Sequence, residues 1–389
     1  MTQLRWSSAE YPDRMVVYVP GVDWDAIPGS DRRLAEALSK HCRVVWLDPP
    51  RSVLEVRRTG RPVAEVSEPY PNIVRLSVTA PPGVTRIGIR RIATWQLGRT
   101  LARYLDSHPA ASSVALVAAT TEPVLSALRR PNWKSIYFAT DDFVAGASLM
   151  GGSAKHLAEA RESNLRFADM VLAVTPDLAH ALSRGDRSAH WFPNGVELTR
   201  FASIGSVAPA TDVSLDAPVA GVIGQFNERT DLGCLEAVQE AGISLLLVGP
   251  NAYRDRAATE RFRDLAVRHG VQWTGAVAPD RLPALLRTIS VGLTPYANSL
   301  FNRRSYPLKT LEYLAAGLPV VTTSVMPTEG LDLRYVSAVS GPDEFARAVV
   351  HVANDPPDSD AVRASVASQS WEHRAAELLA LAFGPGAKP

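Results

Sequence analysis

What the chain holds little of narrows its class first. Its 389 residues contain two cysteines, Cys42 ahead of an apolar run and Cys234 in a helical pattern; this excludes a disulfide framework and marks both as packing thiols. The eight histidines show no metal-ligand spacing, so no structural metal is expected. No apolar run approaches the length that spans a bilayer, and residues 1–10 lack the basic-then-apolar order of a signal peptide, so a cytoplasmic location is expected. No short-period repeat is visible. A net charge of +1, with 46% hydrophobic and 21% charged residues, describes a soluble globular protein rather than a disordered or nucleic-acid-coating one.

The neutral total hides an uneven spread. Residues 1–200 carry 25 Lys/Arg against 20 Asp/Glu, whereas 201–389 carry 16 against 20. Within 51–104 ten arginines face only Glu55, Glu65 and Glu68, a patch that favours an anionic surface or substrate. The arginines Arg86, Arg90, Arg91, Arg99 and Arg103 fall in a helix predicted over 86–105, with Ile89, Ala93, Leu97, Leu101 and Leu105 at four-residue steps. Residues 86–103 therefore admit weak peripheral contact with the inner face of an anionic membrane. They equally admit solvated arginines over a packed apolar face.

The length exceeds one ordinary core and predicts two domains. Strands are predicted at 15–20, 42–49, 72–78, 113–120, 135–142 and 170–175, with helices between them, which points to a parallel doubly wound sheet. Residues 203–217, rich in Ser, Ala, Pro and Asp, read as a linker. The pattern restarts with strands at 218–224, 244–250, 271–275, 291–296 and 320–323. The domains are thus 1–202 and 218–358, and 359–389 forms a helix returning to the first domain plus a tail. Both belong to the α/β class, and ligands of such sheets bind in the loops after strand C-termini.

The stretch 306–323, YPLKTLEYLAAGLPVVTT, compresses the most information. Pro307 suits the first position of a helix, Leu308, Leu311, Leu314 and Ala315 form its apolar face, Gly317 stops it and Pro319 keeps it from resuming. Lys309 and Glu312 share the opposite face. A lysine in the first turn opposes the helix dipole by roughly 0.3–1 kcal/mol unless an anion binds there, so a phosphate site is one reading and a surface ion pair the other. Asp141 and Asp142 end a buried strand, where a carboxylate serves either as a general base or as a helix cap. His156 is a weaker base candidate. Asp25, Gly29 and Ser30, after the first strand, suit contact with phosphate or acceptor, or capping of the next helix.

Taken in order, residues 24–29, VVWLDPP at 44–50, YFATDDF at 137–143, Glu162 with FADMVLAVTPDL at 167–178, and FPNGVE at 192–197 carry a resemblance. It continues through IGQFNERTDL at 223–232, LLLVGP at 245–250, PLKTLEYLAAGLPVVTT at 307–323 and SWEHRA at 370–375. Together they resemble the GT-B glycosyltransferases of the family-4-like group (glycosyl transferases group 1), above all those of teichuronic-acid type. The resemblance implies two Rossmann-like parallel-sheet domains facing a central cleft. It also implies a second domain that binds a nucleoside-diphosphate sugar and a first that recognises a hydroxyl acceptor. The acceptor would be a cell-surface polysaccharide, a glycolipid or natural product, lipid-linked or small.

On that reading Lys309 and Arg229 hold the diphosphate without a metal or cofactor, and Glu312 accepts hydrogen bonds from ribose hydroxyls. Gly224, Gly249 and Pro307 shape the donor loops. One departure is explicit: the glutamate that relatives carry eight positions before Glu312 is Arg304 here, so the usual pair is broken, and Asn302 and Arg304 become candidate donor-sugar contacts. The anomeric outcome does not transfer. A nucleotide-sugar 2-epimerase of the same fold, or a non-enzymatic sugar-binding protein, are the alternatives; no nucleic-acid partner is expected and nothing fixes an oligomeric state.

Overall fold

The computed structural model describes residues 13–59, 65–83, 87–108 and 111–384. The segment 1–10 read for a targeting signal, Arg61 and Arg86 of the basic stretch, and the tail 385–389 lie outside the described residues. The chain divides into two compact units, one made of the residues up to Pro193 with those from Trp371 onward, the other Asn194–Ser370.

In the first unit the strands are β1 (Arg14–Pro20), β2 (Arg43–Leu47), β3 (Arg51–Ser52), β4 (Val66–Tyr70), β5 (Ile73–Leu76), β6 (Thr79–Ala80), β7 (Ser113–Ala119), β8 (Lys134–Ala139), β9 (Met170–Ala173) and β10 (His190–Trp191). Eight of them form one sheet in the order β10-β9-β8-β7-β1-β2-β5-β4, parallel except for the β4–β5 pair. The continuous apolar runs of β1 and β7 follow from burial on both faces. β4, VSEPY, escaped the sequence reading because its Glu and Pro suit a half-exposed edge and obscure the strand pattern. The chain leaves β1 toward β2 and β5 on one side and later toward β8 and β9 on the other, so the β1/β7 boundary is the switch point of this sheet.

The second unit carries β11 (Val219–Ile223), β12 (Ser244–Val248), β13 (Val271–Gly275), β14 (Val291–Thr294), β15 (Val320–Thr323) and β16 (Val336–Val339). Their order is β13-β12-β11-β14-β15-β16, all parallel, the doubly wound order of a dinucleotide-binding sheet, with its switch point between β11 and β14. Leu235, Leu245, Leu247, Phe262, Leu293, Val321 and Phe345 fill one core of this unit.

Two expectations change. The segment 203–217 is no free linker: it belongs to the second unit, where the Ala210 N–H donates to Thr288 Oγ1 at 3.0 Å and Gln272 joins the Asp212 carbonyl at 2.7 Å and the Ser214 N–H at 2.9 Å. Its Ser, Pro and Asp content signals irregular backbone, and irregular backbone can still be fixed by side chains. The terminal helix is two helices. Ser359–Ala364 stays in the second unit, whereas Trp371–Phe383 packs on the helix Ser30–Leu38 of the first, with Lys40 Nζ 2.7 Å from Glu372.

Candidate functional site

β11 is followed by Gly224, whose N–H donates to Val248 O at 2.9 Å. The neighbouring turn at Gly249 has φ +134°, and a Cβ there would collide with the Gly224 carbonyl. Gly249 is therefore required by the close approach of two backbone turns, whatever part it has in shaping a donor loop.

The helix predicted from 307 runs Leu308–Ala315, with Pro307 as its N-cap residue rather than its first turn, and no side chain caps it. Its buried face is Thr310, Leu311, Tyr313, Leu314 and Ala315; Leu308, expected in that face, is half-buried. Tyr313 escaped the reading and matters most. Its ring lies against Gly292 of β14, and its hydroxyl accepts the Ile223 N–H at 2.7 Å and reaches Gly221 O at 3.3 Å. Burial holds its phenol well above the ordinary tyrosine range, so the hydroxyl remains a neutral dipole. At the far end Gly317, φ +82°, closes a double-bonded C-cap: its N–H donates to Leu314 O and that of Leu318 to Tyr313 O, each at 2.9 Å.

Lys309 Nζ stands 2.6 Å from Glu312 Oε2, and both side chains are about one-third exposed, at 36% and 33%. The two residues singled out for phosphate and ribose thus pair with each other, across one turn of a helix whose start no side chain caps.

Arg229 lies on the loop that follows β11, and that loop is stitched to the one following β14: Ala297 N–H donates to Arg229 O at 2.8 Å, and Asp231 N–H to Pro295 O at 2.7 Å. The guanidinium sits 4.8 Å from the Phe301 ring centre and 5.3 Å from that of Tyr296, and its Nε donates to Asn302 Oδ1 at 2.9 Å. Asn302 is fully buried, and its Nδ2 donates to Ala297 O and Arg229 O at 2.8 and 3.1 Å. This corrects the expected sugar contact: the Asn302 amide is spent inside the loop. Arg304, half-buried, is the C-cap residue of the short helix Leu300–Arg303.

In the first unit the two neighbouring carboxylates part company. Asp142 is 3% exposed and its Oδ1 accepts the Ala145 N–H at 3.2 Å and faces Arg161 Nη1 at 3.3 Å. That is a turn cap and ion pair, the capping alternative of the two readings of Asp142. Asp141 is half-buried and lies within electrostatic range of Asp31, a residue the sequence reading passed over. Asp31, in the first turn of Ser30–Leu38, accepts the Tyr18 hydroxyl at 2.9 Å and the Gly21 N–H at 3.4 Å. Removal from water raises its carboxyl from 3.8 to about 6; the two hydrogen bonds oppose the rise and Asp141 adds to it. Asp31 reads in sequence as an ordinary first-turn acid, and only the buried Tyr18 beneath it distinguishes it.

Asp25 does not cap the helix either. Its carboxylate lies 3.0 Å from Arg75 Nη1, in a cluster where the buried Asp48 also binds Arg75, so its charge is already engaged. Gly29 is the N-cap residue, Ser30 the first helical one, and no side chain caps that start. His156 lies in the first turn of Ala154–Phe167, its N–H bound to the Ser153 cap. The basic helix spans Ile87–Ser107; Ala93, Leu97 and Leu101 are buried, and Arg90 pairs with Glu122 at 2.9 Å. Below it, at the ends of β1 and β7, a cavity of about 170 Å³ is lined by Val19, Pro20, Leu97, Thr120 and Glu122. Its outer face carries Trp95, 58% exposed, with Arg91, Arg99 and Arg103. Among the described residues no helix is long and apolar enough to cross a membrane, and no group of three or more His, Cys, Asp or Glu could hold a metal ion.

The chain is similar to known proteins. Residues 218–355 match the family glycosyl transferases group 1. The chain is 29% identical over 230 residues to a protein of Bacillus subtilis (strain 168) assigned to teichuronic acid biosynthesis as the glycosyltransferase TuaH; the match covers 55% of this chain and 56% of that one, little more than half of the relative's length. Sucrose-phosphate synthase of Thermosynechococcus elongatus superposes with a TM-score of 0.67 at 17% identity, covering 95% of this chain and 98% of that one. HepE of Anabaena, solved with UDP and glucose, superposes with a TM-score of 0.58 at 14% identity, covering 95% of each chain. Residues 218–355 are thus similar to the glycosyl transferases of group 1, and the chain has the GT-B fold of these solved structures.

Proposed function

We propose that this protein transfers a glycosyl group from a nucleoside-diphosphate sugar to a hydroxyl acceptor, with no metal taking part. The second unit holds the donor and the first recognises the acceptor. The observation that carries the reading is at the β11/β14 switch point, where Arg229 is offered by stitched loops and Lys309 by an uncapped helix start. In the reaction the bond from the sugar's anomeric carbon to the diphosphate oxygen breaks, and its electron pair leaves on that oxygen. Arg229 and Lys309 stabilise the charge that develops there. Glu312, released from Lys309, accepts hydrogen bonds from the ribose hydroxyls. The acceptor oxygen bonds to the anomeric carbon and its proton passes to a carboxylate, for which Asp141 is the candidate now that Asp142 is capped and paired.

UDP is the first donor nucleotide to try, since HepE was solved with UDP and with UDP-glucose. The likeness to TuaH supports an acceptor among cell-surface polysaccharides. The exposed face with Arg91, Trp95, Arg99 and Arg103 supports weak peripheral contact of a cytoplasmic protein with an anionic membrane. Flotation with anionic vesicles at low salt tests that contact, and protein left at the bottom of the gradient rejects it.

A thermal-shift panel of nucleoside diphosphates and their sugars tests the core of the proposal. A ligand at a hundredfold its Kd adds about 2.7 kcal/mol and raises Tm by several degrees. No shift with any of them removes the donor site. Product analysis separates the rest: free nucleoside diphosphate with a glycosylated acceptor means transfer, an isomeric nucleotide sugar means epimerisation, and binding without either means a binding protein.

A further inference from the structure

We infer that Asn302 is a positioning residue for the donor diphosphate, acting through Arg229; the inference rests on the donor-site reading above. The amide of Asn302 grips one arginine at both ends. Its Oδ1 takes the side-chain Nε at 2.9 Å, while its Nδ2 donates to the main-chain carbonyl of the same residue at 3.1 Å and to Ala297 O at 2.8 Å. The Arg229 N–H is held in turn by Asn227 Oδ1 at 3.0 Å. Phe301 and Tyr296 cover the guanidinium with their rings. With Nε spent and the rings in place, the two Nη groups are the donors left for a ligand, and among the described residues no carboxylate pairs with Arg229.

The chemistry at position 302 is restrictive. The site requires one acceptor for Nε and two donors for carbonyls, in a volume with no access to water. An aspartate would supply the acceptor but would cancel the arginine's charge and set an anion against two carbonyl oxygens. Asparagine orients the cation and leaves its charge unspent, so the entropy of holding a long side chain is lost on folding and not on binding. This differs from Lys309, which must leave Glu312 to reach a phosphate.

The test is a double-mutant cycle on the full chain, read by calorimetric titration with the tightest binder among UDP, GDP, ADP and TDP. Arg229→Gln is expected to weaken binding by about tenfold to a hundredfold, as loss of a charge-assisted phosphate contact does. Asn302→Asp is expected to weaken it by about tenfold or more in the native background and by less than about twofold beside Arg229→Gln, with the salt dependence of Kd flattened equally in both single variants. If Asn302→Asp does not fold, Asn302→Ser replaces it with the same expectation for the cycle of affinities, while the salt dependence stays native because the arginine keeps its charge. An equal loss in both Arg229 backgrounds, or no loss where Arg229→Gln has one, overturns the positioning role alone. Failure of the native protein to bind any of the four nucleotides, or full affinity in Arg229→Gln, overturns the donor site and the inference with it.

Discussion

The hydroxyl of Tyr313 accepts the backbone N–H of Ile223 at 2.7 Å, tying the helix that bears Lys309 and Glu312 to the last residue of β11. Tyr313→Phe leaves that buried N–H without its acceptor, at a cost of about 1–3 kcal/mol. The urea midpoint should fall with an unchanged m-value, and nucleotide affinity should fall with it. Equal stability to the native protein would refute the tie.

The Lys309–Glu312 pair, one-third exposed, should matter little to the fold and much to binding. Each truncation to alanine should change stability by less than about 1 kcal/mol. Lys309→Ala should abolish the thermal shift with nucleoside diphosphate, and Glu312→Ala should weaken it. Full affinity in either variant excludes the role given to that residue.

Gly249→Ala should be costly because the residue combines φ +134° with the Gly224 carbonyl where a Cβ would stand. Strain and overpacking together give a loss of about 3 kcal/mol or more. Thermal denaturation reads it; a Tm within a degree of the native one would contradict the packing of the two turns.

Asp31 gives a pH signature with a definite sign. Its proton is held more tightly in the folded protein, from 3.8 up to about 6, so its contribution to stability declines as pH rises through that window and is flat above it. The stability of Asp31→Asn relative to the native protein should therefore increase between about pH 4 and pH 6 and then level off. A difference independent of pH across that window would show that Asp31 is not desolvated.

Both cysteines are fully buried, and burial pushes each thiol up to about 12. Neither should react with an aromatic disulfide reagent at pH 8 in the folded state, and both should react once the chain is denatured. Rapid titration of either in the native protein would contradict its burial.

The apolar strands β1, β7, β11 and β12 and the helix stop at Gly317 were legible because period, β-branching and glycine punctuation act within a few residues. That Lys309 and Glu312 share one face of a helix was legible for the same local reason. Tyr313, Asp31 and Asn302 were not. Tyr313 takes its meaning from Ile223, 90 residues away, and Asn302 from Arg229, 73 away, and no window of sequence contains such pairs. The capping reading of Asp142 was legible, whereas its ion pair with Arg161, one helical segment further on, was not. Residues 203–217 misled because composition reports how regular a backbone is and not what holds it.

The helix Leu308–Ala315 is an eight-residue rod, about 12 Å from end to end. Its rear end is clamped: a side chain at Gly317 would run into Arg363 and Ser359, and Arg363 itself donates to Ala316 O at 3.3 Å. A tilt of about ten degrees at that clamp would swing the front end by about 2 Å, more than a phosphate contact tolerates. On the proposed donor-site reading, loss of Arg363 would therefore detune Lys309 from the opposite end of the rod.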